Sequence, residues 1–217
     1  MFTSIRRYRA RDPSRLDELT RRVDADFADR ISAQPGFVSY EFLDCGDGEV
    51  MTISIFRDAD EAEASRELAR RWSLEKLADF AFMTAAPLRG EIPVSRAARE
   101  MLEPGHTDGP RKFASIRRYT MRGGDVGKLM HVIDERFADR IASLRGFDAY
   151  HVVDCGRGEI VAVSMFRDRS TAEDSDEIAL AFVGDELAGF GIERTEVVGG
   201  EVVVSRAMAE LLEPAHA

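Results

Sequence analysis

The chain has 217 residues, a net charge of −10, and a composition that is 44% hydrophobic and 32% charged. This is the profile of a soluble globular protein with length enough for one large domain or two small ones. An acidic balance of this size excludes a general nucleic-acid binder, which needs Lys and Arg gathered into a net positive face. Apolar runs such as "EVMTISIF" fall well short of the ~20 residues that cross a bilayer. The N-terminal "MFTSIRRYRARD" has neither the apolar core nor the cleavage site of an export signal. The expected location is therefore cytoplasmic, with neither nucleic acid nor membrane as a partner.

In chain order, "TSIRRYR" reads as a short strand. Residues 14–33 then set Leu16, Leu19, Val23, Phe27 and Ile31 on one stripe at helical spacing. Gly36 ends that helix. The β-rich runs "FVSYEFLDC" and "EVMTISIF" flank "GDG", a hairpin whose glycines supply positive φ. Asp58, with Glu61 three residues on, starts a second helix as a capping box does, and that helix carries Leu68, Ala69, Trp72 and Leu77. A last strand, "GEIPVSR", leads into a short helix, "AAREMLE".

The order then recurs. "FTSIRRY" at Phe2–Tyr8 returns as "FASIRRY" at Phe113–Tyr119, "FADRI" at Phe27–Ile31 returns at Phe137–Ile141, and "GEIPVSRA" returns as "GEVVVSRA". Residues 1–104 are thus expected to form a first repeat, residues 105–112, with "GHTDGPRK", a linker, and residues 113–217 a second repeat. A β-α-β-β-α-β order predicts the α+β class: a ferredoxin-like, four-stranded antiparallel sheet with both helices on one face. In "EVMTISIF", Met51, Ile53 and Ile55 share one face while Val50, Ser54 and Phe56 share the other, so neither face is suited to water. Two repeats packed sheet to sheet would cover both. The expected assembly is a fused pseudo-dimer, with further self-association left open.

Cys45 and Cys155, the two cysteines of the chain, fall in the recurring "DCG-x-GE" turn. Without C-x-x-C spacing or a neighbouring His pair, they read as small residues at a strand end, and no metal is expected.

The motifs "SIRRY", "GFVSYEFLDCGDGE", "FRDADEAEAS" and "GEIPVSRA", in that order and twice, resemble the antibiotic biosynthesis monooxygenase-like (ABM) family of dimeric α+β barrels. Relatives build the barrel from two identical subunits; the resemblance implies that this chain supplies both halves. It also implies a pocket between sheet and helices. Some relatives are cofactor-independent oxygenases of aromatic polyketides with Trp, Asn, Tyr or Arg in that pocket, and others break down haem with an Asn, Trp and His set. This chain has no Asn, and no His precedes His106, so only Trp72 carries over. No cofactor is expected.

The enzyme reading is a cofactor-independent monooxygenase acting on a small hydrophobic or aromatic molecule. Trp72 and His151 are its catalytic candidates. Tyr8, Tyr40 and Ser65 are expected near one pocket; Tyr119, Tyr150, Ser175 and Phe182 near the other. His151 stands beside Tyr150 on a strand, where an imidazole could move protons at neutral pH. Differences between the repeats gather on helix two and strand two: Arg70 against Leu180, Arg71 against Ala181, Trp72 against Phe182, and Glu41 against His151. They predict a more polar pocket in the first repeat and a more apolar one in the second. Arg6 and Arg7, like Arg117 and Arg118, alternate across strand one, so one of each pair turns inward and needs a carboxylate or a ligand. A non-catalytic small-molecule-binding protein and an assembly module are rival readings of the same fold.

Overall fold

The computed structural model describes residues 1–104 and 111–217. Two compact units emerge. One is built on Met1–Arg89 together with Gly200–Leu211; the other on Gly90–Met101, Lys112–Gly199 and Leu212–Ala217.

In the first half of the chain, β1 (Phe2–Ala10) leads to α1 (Leu16–Arg22), a π-helical turn at Val23–Phe27 and α2 (Ala28–Ser32). The residues at these junctions keep right-handed helical dihedrals, so the three pieces run on as one helix. Its stripe of Leu19, Val23, Phe27 and Ile31 is buried, as the spacing requires. Next come β2 (Phe37–Gly46), β3 (Glu49–Phe56), α3 (Ala59–Lys76), β4 (Phe82–Thr84) and β5 (Leu88–Ala97). Asp58 caps α3 by accepting a 2.9 Å hydrogen bond from the Glu61 amide. The second half runs β6 (Lys112–Met121), α4 (Val126–Ile133), a π-helical turn at Asp134–Ala138, α5 (Asp139–Ala142), β7 (Phe147–Asp154), β8 (Glu159–Phe166), α6 (Arg169–Glu186) and β9 (Ile192–Ala207).

The first unit's sheet pairs β1 with β3, β3 with β2, and β2 with β9, where Phe42 stands opposite Val204. The second pairs β6 with β8, β8 with β7, and β7 with β5, where His151 stands opposite Ser95. Each unit therefore takes its fourth strand from the other half of the chain, and the units do not follow the 1–104 and 113–217 boundaries read from sequence.

Two devices seat the exchanged strands. A Cβ built on Gly90 would lie 1.9 Å from the Asp154 carbonyl oxygen, and one on Gly200 would lie 2.9 Å from Cys45 Sγ, so glycine is what permits the approach. Arg96 then bonds Asp134 at 2.7 Å and Asp139 at 2.8 Å. Arg206 does the same with Asp24 at 3.0 Å and Asp29 at 3.2 Å. Asp24 and Asp134 belong to the two π-helical turns, which ties each incoming strand to a helix.

Three local features depart from the sequence reading. β4 is an additional three-residue strand paired with β1. The predicted helix "AAREMLE" is a 3-10 turn at Arg99–Leu102. Of the predicted linker, Lys112 begins β6, and residues 105–110, His106 among them, lie outside the described residues. β3 is buried along its whole length, on both faces.

The recurring turn is structural. Asp44 Oδ1 accepts from the Gly46 amide at 2.9 Å, Asp154 Oδ1 from the Gly156 amide at 2.8 Å, and Asp47 and Arg157 each adopt positive φ at the tip. Burial, with Glu49 and Asp44 adding, pushes the Cys45 thiol up to about 12, so it stays protonated and unreactive. Among the described residues no helix is long and apolar enough to cross a membrane.

Candidate functional site

In the first unit the sheet and the helices do not close completely. Leu19, Val23, Phe27 and Ile31 from the first helix, Tyr40 and Phe42 from β2, Val50 and Thr52 from β3, and Ala69, Trp72, Ser73 and Leu77 from α3 enclose a cavity of about 80 Å³. Arg6 and Tyr8 of β1, with Phe82 of β4, complete its wall. A wider groove adjoins it, sharing Arg6, Tyr8, Ala69, Ser73 and Leu77 and adding Arg66, Arg70 and the exposed Leu74.

Aromatic geometry shapes the interior. Phe27 lies 4.9 Å from Trp72 with the rings tilted by 43°, and meets Tyr40 edge-on at 5.4 Å. The Trp72 Nε1 donates to Asp26 Oδ2 at 2.8 Å. Its N–H is thus committed to Asp26 and is not offered to the cavity that Trp72 lines. Arg30 first and Trp72 second hold the Asp26 carboxyl below its ordinary range, so it remains an ionised acceptor.

Among the described residues the polar lining consists of Arg6, Tyr8, Tyr40, Thr52 and Ser73, without a carboxylate or histidine. Burial raises the Tyr8 phenol despite the opposing Arg6, and raises Tyr40 well above its ordinary value. Both phenols therefore stay protonated near neutrality, as hydrogen-bond donors rather than bases. Neither hydroxyl has a hydrogen-bond partner among the described residues, and Arg6 has neither a hydrogen bond nor an ion pair among them.

The corresponding place in the second unit is nearly closed. Tyr119, Tyr150, Arg117 and Phe182 line a cavity of about 20 Å³, room for a single water-sized probe. Phe182, where the first unit has Trp72, stacks on Phe137 at 4.4 Å and 21°, and Leu187 is fully buried. Arg117 is inaccessible to solvent and bonded through its two terminal nitrogens, while its Nε finds no hydrogen-bond partner among the described residues. It donates to the Ser175 carbonyl at 3.0 Å and to Ser164 Oγ, and lies 3.5 Å from Asp176 Oδ1.

The sequence candidates divide accordingly. Trp72, Tyr8 and Tyr40 meet at the first cavity, and Tyr119, Tyr150 and Phe182 at the second. Ser65 and Ser175 line neither, because each is buried and donates its hydroxyl to the carbonyl three residues back, Ala62 and Ala172. His151 also lines neither. It is 2% exposed with Nδ1 2.9 Å from Ser95 Oγ, and burial lowers its pKa to about 4, so the ring is neutral at neutral pH. Arg70 and Arg71 face outward, 62% and 64% exposed, and Glu41 lines neither of the two cavities. His131 is exposed beside Glu135, and His216 contacts Asp134.

Sequence reasoning missed the pair Arg66 and Asp176. Each directly follows its half's matched serine, Ser65 or Ser175, and a charge reversal at matched positions was the available signal. Among the described residues no group of three or more His, Cys, Asp or Glu side chains is placed to hold a metal ion.

No family model matches the chain, and no curated protein matches its sequence. Solved structures do share its fold. A candidate monooxygenase from Fusobacterium nucleatum superposes with a TM-score of 0.68 at 7% identity, over 95% of this chain and 94% of that one. A candidate monooxygenase from Lactobacillus acidophilus gives 0.66 at 12% identity, over 95% of each chain. An anthrone oxidase-like protein gives 0.59 at 14% identity, over 97% of this chain and 94% of that one. At these identities the likeness shows a shared fold alone and does not extend to membership of the ABM family.

Proposed function

We propose that the first unit binds a small planar aromatic molecule against Trp72 and that the protein is monooxygenase-like, using dioxygen as oxidant without a bound cofactor. The observation that carries this reading is the difference between matched cavities. The cavity of about 80 Å³ has a tryptophan in its wall and, in Tyr8, Tyr40 and Arg6, hydroxyl and guanidinium groups with no hydrogen-bond partner among the described residues; its counterpart has only about 20 Å³. The neighbours named as candidate monooxygenases and as anthrone oxidase-like support the direction of the chemistry.

In this reading Tyr8 and Tyr40 donate hydrogen bonds to oxygen on the ring system, while Phe27 and Trp72 hold its plane. The test is oxygen uptake across phenols and hydroquinones with a metal chelator present. Uptake that survives chelation and is lost in Ala69→Phe, which fills the cavity from α3, is the expected result. Unchanged uptake in Ala69→Phe contradicts it.

A second reading, binding without turnover, is favoured by a cavity lining that holds no carboxylate or histidine base among the described residues. It predicts thermal stabilisation by ligand with no oxygen consumed.

A further inference from the structure

Arg6 and Arg117 occupy matched places on their strands but meet different surroundings. Arg117 is enclosed and bonded, with Asp176 supplying the carboxylate. In the first unit the residue after the matched serine is Arg66, so a second cation stands where the second unit has that anion. Arg66 and Arg89 both add to the positive field at Arg6, and Arg66 shares the groove outside the cavity with it. A guanidinium lining a largely apolar cavity and left without a carboxylate among the described residues needs an anion from elsewhere.

We propose that the aromatic ligand carries an ionised oxygen, a carboxylate or an acidic hydroxyl, held by Arg6 and by the hydroxyls of Tyr8 and Tyr40, with Arg66 and Arg89 supplying field. The inference rests on the binding reading above and narrows it to anionic aromatics. A planar guanidinium presents paired N–H donors that match a carboxylate edge, and the two phenols add charge-assisted bonds in a largely apolar lining. A ligand arriving already ionised also accounts for a lining that holds no carboxylate or histidine base among the described residues.

The test uses the intact chain, whose sole tryptophan, Trp72, reports on this cavity by its fluorescence. 2-Naphthoate is titrated against its neutral near-isostere 2-naphthamide, and 4-cyanophenol is titrated on either side of its own ionisation. The expected result is at least tenfold tighter binding of the ionised form in one or both pairs, and the pair with the larger ratio identifies the acidic oxygen. Arg6→Met abolishes the preference. Arg66→Asp, a change at an exposed position, recreates the second unit's internal pairing and weakens only the anion.

Equal binding of charged and neutral forms overturns the anion inference while the aromatic cavity stands. A preference that survives both substitutions also overturns it. If none of the probes perturbs Trp72, both the inference and the binding reading fall.

Discussion

The indole of Trp72 and the carboxylate of Asp26 are joined by a 2.8 Å hydrogen bond that ties α3 to the π-helical turn of the first helix. The bond holds the cavity wall in place. Trp72 is 4% exposed, so removing the acceptor leaves a buried N–H unsatisfied. Asp26→Leu is expected to destabilise the protein by about 1–3 kcal/mol in urea denaturation. Trp72→Phe leaves the more exposed Asp26 with its partner Arg30 and is expected to cost less for the lost bond.

His151 gives a pH dependence. Its folded pKa of about 4 lies below the ordinary 6.5, so between these values the unfolded chain binds the proton that the folded chain refuses. Stability is expected to fall as the pH drops below 6.5 and to level off below 4, by roughly 3 kcal/mol in all for a fully buried imidazole. Chemical denaturation of His151→Gln across this range should show a flatter profile than the native chain. An identical profile would mean that the ring does not resist protonation.

The exchanged strand at Gly90 tolerates no side chain. Gly90→Ala sets a methyl against the Asp154 carbonyl, whereas nothing lies within 4 Å of a Cβ at Gly123. Gly90→Ala is expected to lower stability by about 3 kcal/mol or more, and Gly123→Ala to change it by less than about 0.5 kcal/mol. Equal melting temperatures for the two variants would contradict this seating of β5.

Arg96 and Asp134 are both well buried, with side chains 13% and 7% exposed. Arg96→Leu leaves Asp134 without its main counter-charge and is expected to cost about 3 kcal/mol. The loss should be smaller for Arg206→Leu, because Asp24 is more exposed, at 17%. Hydrogen exchange should report the opening locally, in β7 for Arg96 and in β2 for Arg206.

Much of the local structure is legible in the sequence because it is set by periodicity and turn chemistry. The stripe from Leu19 to Ile31 buries a helix face, and the glycines of "GDG" supply the hairpin's positive φ. Residues on the helix-facing side of the sheet, such as Tyr8 and Tyr40, reach the same cavity as Trp72 because strand alternation and helical spacing fix their direction. Pairing partners are not written locally. "GEIPVSRA" announces a strand but not that it will lie beside β7. Ser65 and His151 were candidates by residue type, and only the packed structure turns the hydroxyl onto Ala62 and the imidazole away from both cavities. That Arg6 has no ion-pair partner among the described residues is a property of its surroundings, visible once Arg66 is seen where the second unit has Asp176.

The most direct measurement is a crystal structure of the protein grown with 2-naphthoate. The predicted result is a ring plane against Trp72, with its carboxylate on Arg6 and no ligand between Phe137 and Phe182. Ligand in the second cavity, or bound only outside both, would contradict the account.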